Sequence, residues 1–295
     1  MRTGLVMFEW HSLAHVPVSA SVLRPPAGRH AYDPFHANSI SVEGANRLLV
    51  SSRNTDAVFE IDRHTGRVVW RLSGKGPRLR MPPGGATIGQ HDASRQPDGT
   101  ITLFDNGSLG AGLSPVDHES RGMRFLVDDR ARTATLVREY RHPGLPLFTP
   151  SQGSIQMLPG GNVFLSWGGR QPYLTELTPT GQTAFEARIT PLADTYRAYR
   201  LPWRGARPTG RPAVAASRSA AGTSVYASWN GATDVMRWEV LAGTRPNTLA
   251  PAGLAPWQGF ETQIQVLPPA VRYVAVRALD ALGGVLGTSA TIPIQ

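Results

Sequence analysis

Cysteine is absent from the 295 residues, which excludes disulfides, thiolate chemistry and cysteine-held zinc. Lysine is nearly absent too: Lys75 stands alone among arginines. The formal charge of +9 and pI near 10.7 would admit a nucleic-acid partner. The arginines, however, are scattered rather than gathered on a stripe or arm, so no nucleic acid is expected. A basic balance still draws small anions by long-range attraction. No apolar run approaches the ~18 residues of a membrane helix, and no membrane span is expected. Nor is there an Asp/Glu cage of the kind Mg²⁺ or Ca²⁺ requires; no metal or other cofactor is expected.

Helical periodicity is equally scarce. Short β-type runs are punctuated by 31 Gly and 25 Pro, the pattern of an all-β protein, and 41% apolar residues suffice for a core. A repeat emerges. Arg47 to Ser51, Val58 to Asp62 and Arg67 to Trp70 form one unit. Thr100 to Phe104, Arg124 to Asp128 and Thr133 to Val137 form the next. Asn162 to Ser166, Tyr173 to Leu177 and Ala184 to Ala187 form a third. Each first run reads as a buried inner strand, and a weaker strand precedes it, as at Ser39 to Val42 and Ser154 to Met157. Four-stranded units recurring about every 50–60 residues predict the blades of a β-propeller.

The chain opens on Val6-Met7-Phe8-Glu9-Trp10, which reads like the middle of a strand and predicts missing upstream sequence. A Pro/Gly/Arg stretch from Trp203 to Pro212 predicts a linker. The expected domains are thus a partial propeller over 1–205 and a fibronectin-III-like or immunoglobulin-like β-sandwich over 206–295, with strands near 224–229, 235–240, 260–264, 273–279 and 288–294.

Two histidine motifs carry the chemistry. Asp33-Pro34-Phe35-His36-Ala37-Asn38 precedes one apolar strand, which ends in Ser52-Arg53-Asn54; Gln90-His91-Asp92-Ala93 precedes another, which ends in Asp105-Asn106-Gly107. On an extended segment His36 and Asn38 would share a face. Two imidazoles, a guanidinium and an amide suit a tetrahedral oxyanion: the arginine fork and amide hold oxygens, one imidazole attacks, the other shuttles a proton. Asn106 has a plainer reading as a turn residue. His118 and His142 sit in loop-like stretches and are expected to be exposed.

These motifs, with Gly66-Arg67-Val68-Val69-Trp70, Phe104-Asp105-Asn106-Gly107 and Gln156-Met157-Leu158-Pro159-Gly160-Gly161-Asn162-Val163, resemble the actinobacterial and fungal branch of the arylsulfotransferase family over residues ~5 to ~205. The resemblance implies a ring of about six blades. It also implies sulfuryl transfer from a phenolic sulfate ester to a phenol by a ping-pong route, with no nucleotide sulfate donor. His91 would carry the sulfuryl group, and His36 would move the phenolic proton or bind oxygens. Asn38 and Arg53, with Asn106 the weaker candidate, would bind substrate. The partners implied are an aryl sulfate donor and a phenol acceptor; an extracellular place follows if a signal peptide precedes Met1. Left open are a non-catalytic propeller that binds a partner, and an inactive fragment of the transferase.

Overall fold

The structure, a computed structural model, describes residues 4–28, 30–76, 79–109, 118–169, 171, 173–190, 192–205, 208–219, 222–266 and 271–294. It is all-β, and α1 (Ser12–His15) is a single turn. No helix among the described residues is long and apolar enough to cross a membrane. The chain divides into two units, 1–200 and 201–295. Of the expected linker, Ala206 and Arg207 lie outside the described residues.

Unit 1 holds three four-stranded antiparallel sheets, each a meander in chain order. The first is β1 (Ala37–Glu43), β2 (Arg47–Ser52), β3 (Ala57–Asp62) and β4 (Val68–Ser73). The second is β5 (His91–Arg95), β6 (Ile101–Asp105), β7 (Arg121–Asp128) and β8 (Thr133–Tyr140). The third is β9 (Ser154–Met157), β10 (Val163–Ser166), β11 (Tyr173–Leu177) and β12 (Thr183–Arg188). Side-chain capping closes the turns: Asp62 Oδ1 accepts the N–H groups of His64 and Thr65, and Asp98 Oδ1 accepts that of Thr100.

The sheets bury both faces, which is why the middle strands read as almost unbroken apolar runs. Leu49 and Val58 join Ile101, Leu103, Met123 and Phe125 in one cluster. Their strand neighbours Val50, Ala57, Phe59 and Ile61 point the other way, against Val16, Ala20 and Phe35. Phe104 turns from β6 to meet Ile155, Leu165 and Trp167 of the third sheet.

The polar first strands have a different task. Asn38 Nδ2 and Ser51 Oγ both donate to the Gln90 carbonyl, Ser39 Oγ accepts from Ala93 N–H, and Asp92 Oδ2 accepts from Ile155 N–H. β1, β5 and β9 are therefore where successive sheets meet. The strands expected to be buried are so, at Leu49 to Ser52, Ile101 to Asp105 and Val163 to Ser166, while the weak strand before each is a sheet edge where hydrogen bonds do much of the work. Val6 to Trp10 is not a strand. Trp10 stacks on His15 at 5.1 Å and donates to the Gly66 carbonyl, so the segment docks by its indole rather than by backbone pairing.

Unit 2 sets a sheet of β13 (Ala213–Ser219), β14 (Gly222–Ser228) and β17 (Glu261–Val266) against a second sheet. That one orders β16 (Thr248–Pro256), β15 (Arg237–Arg245), β18 (Tyr273–Leu279) and β19 (Val285–Thr288), with β20 (Ile292–Pro293) also on β18. Its core is strictly alternating: Val225 and Ala227, Ile264 and Val266, Trp238, Val240 and Ala242, Val274, Val276 and Ala278. β13 and β16 escape sequence detection because they are sheet edges with exposed, proline- or serine-containing surfaces.

Candidate functional site

Each first strand of unit 1 is entered through a strained residue. His36 (φ 55), Asp92 (φ 54) and Gln152 (φ 69) are left-handed although none is glycine. Such conformations cost on the order of 1–3 kcal/mol each and persist only where surroundings enforce them. In β1 and β5 the register also slips, between Ala37 and Ser39 and between His91 and Ser94. Asp92 and Gln152 meet other segments of unit 1 near His91, whereas the His36 ring turns outward.

His91 occupies one corner of unit 1, 2% exposed. Its Nδ1 lies 2.7 Å from Asn106 Oδ1 and 2.9 Å from the Gly89 carbonyl. Two acceptors at one nitrogen require that Nδ1 carry the proton. Nε2 is then the lone-pair nitrogen, and it accepts the Gln152 N–H at 3.1 Å. Burial pushes the imidazole down to about 4 against the bonds to Asn106 and Gly89, with the charges of Arg53 and Arg197 adding to the effect. His91 is a neutral imidazole of fixed tautomer at neutral pH.

The loop before it is held from several sides. Asp56 Oδ1 accepts the Gly89 N–H, and Gln90 Nε2 donates to Ser51 Oγ, Ser52 O and Ala57 O. Burial raises the Asp56 carboxyl to about 6; Asp105 adds to this, while the Gly89 bond, Arg53 and Lys75 oppose it.

Asn106 is fully buried, with Nδ2 donating to the carbonyls of Thr149 and Gln152. Both polar atoms of its side chain have protein partners, Oδ1 at His91 Nδ1 and Nδ2 at two backbone carbonyls. Asn38 Nδ2 holds the Gln90 carbonyl at 2.7 Å while its Oδ1 is buried without a partner. Arg53 reaches from the end of β2 to Asn54 Oδ1 (3.0 Å), Leu109 O (2.8 Å) and Pro150 O (3.0 Å), and its Nε is buried and unpartnered. An orphaned buried donor costs about 1–3 kcal/mol, which favours a site that accepts an anion.

His36 stands apart. Its side chain is 49% exposed and its Nδ1 lies 2.6 Å from Asp33 Oδ2. Burial works the other way, but the ring and the N–H groups of His36 and Phe35 hold the Asp33 carboxyl below its usual value. The expected shared face of His36 and Asn38 is not formed: the left-handed turn at His36 and the bulge behind it break the alternation. Only its backbone joins the corner, its carbonyl accepting the Arg53 N–H at 3.0 Å.

Sequence reasoning passed over Gln152, Tyr196 and Arg197. Gln152 touches His91 through its N–H, Asn106 through its carbonyl and Gly169 through Oε1. The following Gly153 (φ 98) is required, since a Cβ there would lie 2.4 Å from the Phe104 ring. The available signal was Ser151-Gln152-Gly153-Ser154 entering β9 as His36 enters β1. His118 and His142 are not the free surface residues expected. His118 Nε2 meets buried Asp105 Oδ2 at 2.8 Å, and His142, itself buried, meets Glu186 Oε2 at 3.0 Å. Both are pulled in by carboxylates distant in sequence. No group of three or more His, Asp or Glu that could hold a metal occurs among the described residues.

Solved structures similar to this chain share little sequence with it. Hydrazine synthase of Kuenenia stuttgartiensis is 11% identical at TM-score 0.36, matching 87% of this chain, which spans 60% of that one. An inactive H270A virginiamycin B lyase from Staphylococcus aureus, with quinupristin, is 10% identical at TM-score 0.33, over 87% of this chain and 70% of that one. An aldose sugar dehydrogenase from Streptomyces coelicolor, in its PQQ-bound form, is 13% identical at TM-score 0.30, over 87% and 80%. No curated protein matches this chain. The sequence model of the arylsulfotransferase (ASST) family matches residues 1–190, which include the three sheets and the His91 corner. This chain belongs to the arylsulfotransferase family.

Proposed function

We propose that this chain transfers a sulfuryl group from a phenolic sulfate ester to a phenol through a sulfohistidine at His91. The observation that carries the reading is the state of that imidazole: buried, neutral, Nδ1–H fixed by Asn106 and Gly89, lone pair on Nε2. A neutral nitrogen of fixed orientation is a nucleophile that needs no deprotonation.

In the first half-reaction Nε2 attacks sulfur. The S–O bond to the aryl oxygen breaks, and its electron pair departs on the phenolate. The Gln152 N–H now on Nε2 opens for this step. The resulting sulfohistidine retains Nδ1–H, and its positive charge is stabilised by the acceptor oxygens of Asn106 and Gly89. In the second half an acceptor phenol loses its proton and attacks sulfur, and the S–N pair returns to Nε2. Arg53 supplies positive charge to the sulfuryl oxygens. Asn38 holds the Gln90 carbonyl and offers its second N–H to the same oxygens. His36, whose ring lies outside the corner and open to solvent, passes the proton to the leaving phenolate and from the acceptor by way of water.

The fold reading belongs with this function. The three meanders are blades of a propeller, whose inner strands β1, β5 and β9 present the site. In this reading unit 2 is a fibronectin-III-like sandwich, supported by the facing of β13-β14-β17 and β16-β15-β18-β19.

A second reading, a non-catalytic pocket, is favoured by the Gln152 amide on Nε2 and by the His36 ring turned to Asp33. Incubation with 4-nitrophenyl sulfate and a phenol separates the two. Transfer predicts nitrophenolate release and a sulfuryl adduct on His91 by intact and peptide mass. Full release by a His91→Ala variant would sink the transferase mechanism, and no release at all by the native chain would favour the second reading.

A further inference from the structure

After β12 the chain turns back and runs along β9 as an extended strap, 195–200. The Tyr196 carbonyl accepts Gly153 N–H at 2.9 Å. Ser154 Oγ both donates to the Ala198 carbonyl and accepts its N–H, at 3.1 Å each. The Gln156 side chain holds Arg200 N–H at 2.7 Å and its carbonyl at 3.1 Å. Side chains of an inner strand thus fix the strap, and it delivers a second guanidinium to the His91 corner.

Arg197 Nη1 lies 3.2 Å from Asp92 Oδ1, and its Nη2 donates to the Asn38 carbonyl at 2.6 Å. Asp92 is itself anchored by Ile155 N–H and Tyr199 O–H, at 3.1 Å each. The Arg197 guanidinium sits 5.5 Å from the Tyr196 ring centre, and that ring meets the His91 ring edge-on at 6.2 Å. The Nε of Arg197 is buried and unpartnered among the described residues. Arg53 repeats the pattern, with terminal nitrogens bonded to the protein and Nε buried without an acceptor. Two prepositioned arginines with unused buried donors beside one neutral imidazole describe a clamp for a tetrahedral oxyanion.

We propose that Arg197 is a second cationic ligand of the transferred sulfuryl group, its Nε–H meeting one oxygen while Arg53 meets another. The inference rests on His91 as the sulfuryl carrier and adds a residue outside both histidine motifs. Asp92 and Tyr199 position Arg197 and do not touch the substrate.

Inorganic sulfate, titrated calorimetrically into the full chain, tests the clamp without turnover. The donor KM and kcat with 4-nitrophenyl sulfate are measured in parallel. Arg197→Gln is expected to weaken sulfate and raise the donor KM roughly 10- to 100-fold, the loss of one charge-assisted hydrogen bond. Arg197→Lys keeps the charge but not the fork, and should fall between. Where Arg197→Gln fails to fold because Asp92 is left unpaired, the Asp92→Asn/Arg197→Gln double variant removes both charges together and should show the same loss. A folded variant with native sulfate affinity overturns the inference, as does a native chain that binds no sulfate. Native sulfate binding that depends on Arg197, with no nitrophenolate release, would leave the clamp standing and remove the transferase mechanism.

Discussion

The two histidine corners begin alike and end in opposite environments. Both enter a first strand through a left-handed residue and a slipped register. At His91 the chain is closed in by Gly89, Asn106 and Gln152, and the imidazole is buried and neutral. At His36 the ring turns outward to Asp33 and meets water. Burial and its hydrogen bonds fix the tautomer of one ring, while the other keeps a single side-chain partner. One ring is shut into the fold, and the other faces solvent.

The largest effect should come from removing the buried ring. His91→Ala is expected to lower nitrophenolate release by about 10⁴-fold or more, the order seen when a covalent nucleophile is deleted. His36→Gln should cost roughly 10²- to 10⁴-fold, in the range of general acid–base catalysis. Because 4-nitrophenolate leaves readily without a proton, the burst of its release should survive while turnover to a phenol acceptor slows. Pre-steady-state and steady-state rates from one stopped-flow series check this; equal loss in both phases would merge the two roles.

Asn106→Leu should drop transfer about 10²–10³-fold by freeing the tautomer while sulfate affinity changes little, read by kinetics and calorimetry side by side. Gly153→Ala forces a Cβ into the Phe104 ring at a positive φ, and should destabilise unit 1 by about 2–4 kcal/mol in urea unfolding.

The pH dependence follows from the lowered His91 value. The folded imidazole resists protonation down to about 4, whereas the unfolded one takes a proton near 6.5. Its contribution to stability is therefore full above pH 6.5 and is lost as pH falls toward 4, on the order of 3 kcal/mol in all. Asp56, raised to about 6, works with opposite sign: its contribution is present at low pH and is lost as pH rises through 6. The difference in unfolding free energy between the native chain and His91→Asn, measured from pH 8 to 4, isolates the histidine. A difference independent of pH would mean that the ring at position 91 titrates alike folded and unfolded, as an exposed ring does.

Much of unit 1 was legible because its middle strands alternate between two buried faces. Leu48 to Ser51 and Ile101 to Phe104 cannot be read as anything but strands, and the Asp- and Gly-containing turns set their boundaries. The first strands were harder to read: Ala37 to Glu43 and His91 to Arg95 are largely polar, because their neighbours are met by hydrogen bonds more than by apolar packing. For the same reason Val6 to Trp10 looked like a strand: an apolar run carries no mark of whether a partner edge lies beside it.

Residue order and chemistry alone set the all-β rhythm, the repeat and the two histidines. Tertiary structure alone chose between them, burying one ring and exposing the other, since a single left-handed φ reverses where a side chain points. It also recruited Gln152 to His91 across 61 residues and Arg197 to Asn38 across 159. No local pattern encodes such meetings, because the bonds that define the site close only once the sheets have packed.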